Sequence, residues 1–404
     1  MQEDTAALND RWAALLIDLL VQQKVDYFCL SPGSRCTPLA IALANHPKAK
    51  TFVHFDERGA AFHALGYAKA TGKPAAIIST SGTAAGNLFP AVMEAALSHT
   101  TLIVITADRP PELRDVSANQ TVDQVKLFGT YARFAVDLPP PSHAISDVYL
   151  ATLVAQSVFI SLQPPHGPVH LNCMYREPLF STEPLILSSQ PVLNYETSSL
   201  QPSEEQLQRW AENLSQYEKG IILVGNLPHT MEKESLLALS KKLGWPLLPD
   251  IFSGLRTHTD AIGNHDLILK GIPEMPLEVV LHLGDRILSK TLSEWMKKTA
   301  PKRYFQVIDH PLRSDPAHQV TDRLLCAPDT FCTRLLPLIA KKESWLEEWQ
   351  HHNQTVKEAL EDCFDSNAPI SEPSLFFFLQ TKWPLFLANS MPVRDAHFFL
   401  TTQE

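Results

Sequence analysis

The sequence predicts an α/β protein with parallel sheets covered on both faces by helices. Three observations carry that reading. Strand-like apolar segments alternate with amphipathic helical segments along most of the 404 residues. The composition, 45% hydrophobic and 19% charged, suits large buried sheets in a globular protein. Four short motifs each follow a strand segment: Ser31-Pro-Gly-Ser-Arg35, Phe55-Asp-Glu-Arg-Gly59, Thr80-Ser-Gly-Thr83 and Thr106-Ala-Asp-Arg-Pro110. Open α/β sheets collect ligand-binding groups at such strand ends.

The elements read in order as follows. Trp12, Leu15, Leu16, Leu19 and Leu20 recur on one helical face, with Asp10 as the expected cap. Strands follow at 27–30 and 52–55, then a helix over 57–70 that Gly72 stops. A strand at 75–80 leads through a small-residue loop into a helix reaching Leu97. Strands at 102–106 and 169–172 flank a helix over 145–162. Ser203 and Gln206 form a capping-box pattern that opens a second α/β unit. Its strands fall at 221–224, 246–249, 279–283 and 304–308, with helices over 231–243 and 292–300. Gly225 and Gly284 end strands there, but no G-x-G-x-x-G surrounds them, so a Rossmann-like spacer is expected. A polar amphipathic helix over 343–364, a helix over 374–380 and a strand at 385–388 complete the reading.

The length calls for two to three domains. These are expected at 1–181, 203–342 and an incomplete third unit at 343–404, with a Pro/Ser/Thr-rich linker over 182–202. A net charge of −10 argues against nucleic acid or an anionic membrane as partner. The N-terminal Met-Gln-Glu-Asp lacks the features of a signal peptide, and no apolar run approaches a membrane span. The six cysteines form no C-x-x-C pair and read as buried thiols of a cytoplasmic protein. No H-E-x-x-H occurs, and His351-His352 reads as a solvated face.

Glu57 opens a helix, where the helix dipole stabilises a carboxylate whatever else it does. Arg35 sits on a tight turn where Gly33 is expected to allow positive φ and Ser34 adds a donor. It suits carboxylate recognition or pairing with a neighbouring acid. The loop with Ser81, Gly82 and Thr83 offers backbone N–H groups, a weak signal alone. Arg109 is stiffened by Pro110 and Pro111, and Asn119 and Gln120 suit hydroxyl or carboxylate contacts.

In this order the motifs resemble the pyrimidine-binding domain of thiamine-diphosphate enzymes. More closely, the chain resembles the 2-succinyl-5-enolpyruvyl-6-hydroxy-3-cyclohexene-1-carboxylate synthase family. The resemblance extends through Val169-His-Leu-Asn172, Glu177-Pro-Leu179, Leu243-Gly-Trp-Pro-Leu247, Asp315-Pro-Ala-His318 and Asn389-Ser390…Val393-Arg394. It implies Glu57 as the catalytic, cofactor-activating glutamate, with Ser81, Gly82 and Thr83 also at the cofactor. It implies Ser34, Arg35, Arg109, Asn119 and Gln120 as isochorismate-binding groups, and Ser390 and Arg394 as those for 2-oxoglutarate. The implied reaction decarboxylates 2-oxoglutarate and adds the succinyl carbanion to isochorismate, in menaquinone or phylloquinone biosynthesis. The implied cofactors are thiamine diphosphate and Mg²⁺ (or manganese), and the implied assembly is a homodimer or tetramer.

Two departures stand out. Thr291 occupies a place where the family often has Arg, leaving Lys290 to serve. No Gly-Asp-Gly segment of the kind that binds metal and diphosphate occurs in the 404 residues, so no metal ligands are assigned within the chain. The expectation is therefore a synthase that is incomplete or needs a partner. Its alternatives are an inactive truncated remnant or a non-catalytic binding or oligomerisation module.

Overall fold

The structure is a computed structural model that describes residues 4–181, 193–228, 231–342, 345–380 and 385–400. It divides into two compact units, Met1–Thr197 and Ser198–Glu404.

In the first unit the described residues form one parallel six-stranded sheet, β1 (Tyr27–Leu30), β2 (Lys50–Val53), β3 (Ala75–Ser79), β4 (Leu102–Asp108), β5 (Phe134–Leu138) and β6 (Pro168–Met174). The spatial order is β2-β1-β3-β4-β6-β5. Side chains of a strand alternate between faces, so β3 and β4 divide their residues between two cores. Ala76, Ile78, Ile103 and Ile105 pack under helices Thr5–Gln22, Thr37–Asn45 and Asp147–Leu162. Ala75, Ile77, Leu102 and Val104 pack under helices Glu57–Thr71 and Phe89–Leu97. Burial on both faces is why Ala75–Ile78 and Leu102–Ile105 are apolar throughout, with polar residues only at the C-terminal ends of the two strands.

The second unit repeats the plan, with β7 (Gly220–Val224), β8 (Leu247–Pro249), β9 (Val279–Leu283), β10 (Arg303–Ile308) and β11 (Asp322–Leu325) in the order β11-β10-β9-β7-β8. One face packs on helices Glu204–Ser215, Glu234–Leu243 and Pro328–Leu335. The other packs on helices His265–Gly271, Lys290–Thr299 and Leu346–Cys363. The capping box of Ser203 and Gln206 forms, and Gly72 and Gly244 end their helices in the left-handed conformation.

Several expectations are corrected. The first helix begins at Thr5, capped by Asp4, because Asp4 reaches the Ala7 amide one turn earlier. Asp10 lies inside the helix, where it accepts from the Ser181 amide at 2.6 Å. β5 and β11 were not predicted. Both are edge strands, half-exposed and charged, so their apolar signal is weak. β11 carries Asp322, paired with Arg303 of the adjacent strand at 2.7 Å. The strand expected at 385–388 does not form: Leu385 and Phe386 are 41% and 67% exposed, and an apolar run with no neighbour to pair stays coil. The helix Met391–Phe399 after it was also missed. Of the expected linker, 182–192 lie outside the described residues, while 193–202 are coil. Five cysteines are buried and Cys363 is exposed. Burial pushes the Cys29 and Cys326 thiols up to about 12, so both stay protonated.

Candidate functional site

The motifs of the first unit meet because β1, β3 and β4 lie side by side and run the same way. Their C-terminal ends therefore share one edge, and the Ser31 amide donates to Ile78 O across it at 2.9 Å. Gly33 is extended at φ −169°, so positive φ is not its purpose. A Cβ there would sit 2.5 Å from the Thr80 Cβ, so close approach of the two loops requires glycine. Ser34 is exposed, whereas Arg35 is buried. The Arg35 guanidinium donates to Tyr175 O at 2.9 Å and to Glu177 at 2.8 Å, so the pairing alternative holds for its hydrogen bonds.

Arg109 is half-buried and donates to Gln120 O at 2.9 Å. Burial first, and then the charge of Arg35, push the Arg109 guanidinium below its usual range. The two arginines thus feel each other, and an anion between them would relieve that repulsion. Gln120 locks to Ser81 in both directions: Gln120 Nε2 donates to Ser81 O at 3.0 Å, and Ser81 Oγ donates to Gln120 O at 3.1 Å. Gly82 has φ +78°, and a Cβ would meet Gln120 Cγ at 2.8 Å, so only glycine suits this turn. Asn119 and Thr83 are exposed beside this cluster in sequence.

Glu57 begins the helix Glu57–Thr71, capped by Asp56, whose carboxylate accepts from the Gly59 amide at 2.9 Å. Glu57 Oε2 accepts from Asn87 Nδ2 at 3.3 Å, which ties it to the helix that follows the Thr80–Thr83 loop. Its Oε1 takes no hydrogen bond from the described residues and is able to meet a ring nitrogen. Phe55, two residues earlier, is 90% exposed.

A buried polar network under these loops was not singled out from sequence. Asn172 is its hub. Its Oδ1 accepts from Thr106 at 2.7 Å and Gln124 at 2.9 Å, and its Nδ2 donates to Asp108 at 2.8 Å and Asp137 at 2.7 Å. Gln124 Oε1 accepts the Gly82 amide at 2.9 Å, which connects the hub to the loop. Arg114 bridges Asp108 and Asp137, each at 2.8 Å. Burial lifts the Asp108 carboxyl above the usual range. At Asp137 burial pushes the same way, but Arg114 and Asn172 outweigh it and hold the group low. The available signal was His170 and Asn172 at alternate positions of an otherwise apolar strand.

His170 offers a pH prediction. Thr106 donates to Asn172, so it accepts from His170 Nε2–H at 2.7 Å, and the ring is neutral. Burial lowers His170 from 6.5 to about 4, against the charge of Asp137. In the second unit His282 is lowered likewise, to about 4. The folded state therefore binds fewer protons than the unfolded chain between pH 6.5 and 4. Stability is full above 6.5 and falls as pH drops through that window, by about 3 kcal/mol per group at about 1.4 kcal/mol per unit. Denaturant unfolding at pH 7 and 4.5 checks this, and His170→Gln is expected to remove its share of the slope.

Ser390 and Arg394 belong to the second unit. Ser390 precedes helix Met391–Phe399 at φ 74°, a strained value for a non-glycine residue, and Arg394 is exposed on that helix. Lys290 is exposed and pairs with Glu294 at 3.5 Å.

Residues 10–127 match the thiamine pyrophosphate enzyme N-terminal TPP binding domain, and residues 185–384 match the middle domain of thiamine pyrophosphate enzymes. The 2-succinyl-5-enolpyruvyl-6-hydroxy-3-cyclohexene-1-carboxylate synthase of Rubrobacter xylanophilus is 40% identical over 421 residues, covering 99% of this chain and 73% of the relative. The synthase of the same name from Salinibacter ruber is 36% identical, covering 95% of this chain and 69% of the relative. Among solved structures, benzoylformate decarboxylase of Polynucleobacter necessarius superposes with TM-score 0.63 at 16% identity, over 82% of this chain and 62% of that one. The last similarity is one of fold.

Proposed function

The chain belongs to the 2-succinyl-5-enolpyruvyl-6-hydroxy-3-cyclohexene-1-carboxylate synthase family of thiamine-diphosphate enzymes, and on that premise we propose that it serves the family's transferase reaction in menaquinone or phylloquinone biosynthesis. The substrates in this reading are 2-oxoglutarate and isochorismate. Residues 1–181 act as the pyrimidine-binding domain and 203–342 as the middle domain. The observation that carries the reading is the joining of Arg35, Arg109, Gln120 and the Ser81-Gly82 loop at one edge of a parallel sheet.

Thiamine diphosphate, when bound, supplies the thiazolium that stabilises a carbanion after decarboxylation. Glu57 accepts a hydrogen bond from the cofactor's pyrimidine and moves the proton at N1′. A partly exposed carboxylate with one oxygen tied to Asn87 and the other open suits that task. For the diphosphate and its Mg²⁺ the 404 residues contain no Gly-Asp-Gly segment. Ser34, Arg109, Asn119 and Gln120 bind isochorismate. Arg35, committed to Tyr175 and Glu177, adds its charge to Arg109 and holds the loop. Ser390 and Arg394 hold 2-oxoglutarate. A homo-oligomer accompanies this reading. A cytoplasmic location accompanies this reading; no described helix is long and apolar enough to cross a membrane.

Steady-state kinetics of the thiamine-diphosphate-loaded enzyme test the assignment. Arg109→Ala is expected to raise KM for isochorismate, and Arg394→Ala to raise KM for 2-oxoglutarate. Each loses a charge-assisted bond of about 1.5–3 kcal/mol, or about ten- to a hundred-fold. Equal effects of both variants on both substrates would remove these arginines from ligand sorting.

A further inference from the structure

The second unit contains a buried cluster that the proposed reaction does not use. His265 and Asp266 open the helix His265–Gly271, and His397 lies in the helix Met391–Phe399. Their exposures are 0%, 3% and 3%. His265 Nδ1 lies 2.9 Å from Ile262 O, which can only accept, so Nδ1 carries a hydrogen. In the neutral ring, Nε2 then presents a lone pair. It lies 3.6 Å from Asp266 Oδ1 and has no hydrogen-bond partner. Asp266 Oδ1 accepts from Ser289 Oγ at 2.5 Å, while Oδ2 lies 3.3 Å from His397 Nε2. Neither ring nitrogen of His397 makes a hydrogen bond of acceptable geometry. One ligand atom from each residue lies within 4.8 Å of the others.

Lone pairs that converge in a dry interior repel unless a proton or a metal cation stands between them. A proton on His397 would neutralise one contact and leave the His265 nitrogen unsatisfied. A metal ion satisfies all three at once. We propose that His265, Asp266 and His397 bind one divalent transition-metal ion, with Zn²⁺ best suited to two imidazoles and a carboxylate. The surroundings are those that orient metal ligands. Ile262 O fixes the tautomer of His265, and Ser289 fixes the carboxylate. Arg256 donates to the main-chain oxygens of His397 at 2.7 Å and Phe398 at 3.0 Å, which holds the end of the helix. Arg256 and Asp250, both buried, act electrostatically on this cluster, and their charges offset each other before the ion is counted. The ion joins the helix that carries Arg394 to the helix His265–Gly271. A fourth position is left for water, as in sites with three protein ligands.

The test uses the whole chain, stripped with a chelator and titrated calorimetrically with Zn²⁺ alone. One ion per chain is expected, with a rise in unfolding temperature. Co²⁺ in its place is expected to give the intense visible bands of a four-coordinate nitrogen–oxygen site. His397→Gln and His265→Gln should each weaken Zn²⁺ binding by at least about a hundred-fold. The double variant His351→Ala/His352→Ala, on an exposed helix face, should bind as the parent does. Circular dichroism establishes that each variant is folded. If His265→Gln does not fold, His397→Gln and the Co²⁺ spectrum of the parent decide. Absence of stoichiometric binding by the parent overturns the proposal. So does binding unchanged in folded His397→Gln, or Co²⁺ bands of octahedral weakness.

Discussion

Replacing Glu57 by Gln is expected to lower kcat of the thiamine-diphosphate-loaded enzyme by about 10²–10⁴, the range for loss of a positioned acid–base group. An amide has nearly the shape of the carboxyl group, so packing is kept. It can still accept from Asn87 through its oxygen, as Glu57 Oε2 does at 3.3 Å. What it lacks is a proton to exchange. The cost in stability is limited to the lost charge at a helix start, about 0.3–1 kcal/mol. The informative result is therefore a collapse of turnover with a near-parental unfolding temperature. Near-normal turnover would leave Glu57 with only its helix-dipole role.

Asn172→Leu is expected to destabilise the first unit by about 3–5 kcal/mol, since it breaks a buried charged network instead of removing it whole. Leucine has as many side-chain heavy atoms as asparagine but is bulkier, so it leaves no cavity and the loss is of polar partners, with some overpacking added. Thr106 and Gln124 lose an acceptor, and Asp108 and Asp137 lose a donor. Urea unfolding at pH 7 measures the effect. Gln124 is then less firmly held where it accepts the Gly82 amide, so the loop before Thr83 should exchange its amide hydrogens faster. A cost below about 1 kcal/mol would mean that Thr106, Gln124, Asp108 and Asp137 satisfy one another without the amide, and the hub role would lapse.

The central strands were legible because their chemistry is local. Tyr27–Leu30 and Val279–Leu283 have the same bounds in sequence and structure, since burial on both faces leaves apolar runs interrupted only by His282. Helix ends with a strong local signal were equally plain, as at Ser203, Gly72 and Gly244. The edges were not. β5 pairs with β6, 35 residues further on, so its existence rests on a partner that local pattern does not reveal. The run at 385–388 shows the reverse error, a strand-like pattern with no neighbour.

The sequence by itself determined the fold class, the order of the motifs and the family, because apolar period and motif spacing are written along the chain. It also singled out Glu57, Arg35, Arg109 and Gln120. Tertiary structure alone decided what those residues do to one another. Arg35 is committed to Tyr175 and Glu177, some 140 positions away, and Arg109 feels its charge. Gly33 is glycine because Thr80 presses on it, not because of its own φ. Asn172 becomes a hub only when β4, β5 and β6 lie side by side. His265, Asp266 and His397 likewise meet only once two helices distant in sequence are packed. Hydrogen bonds and charges act over a few ångströms of space, and the chain brings distant residues within that range only by folding.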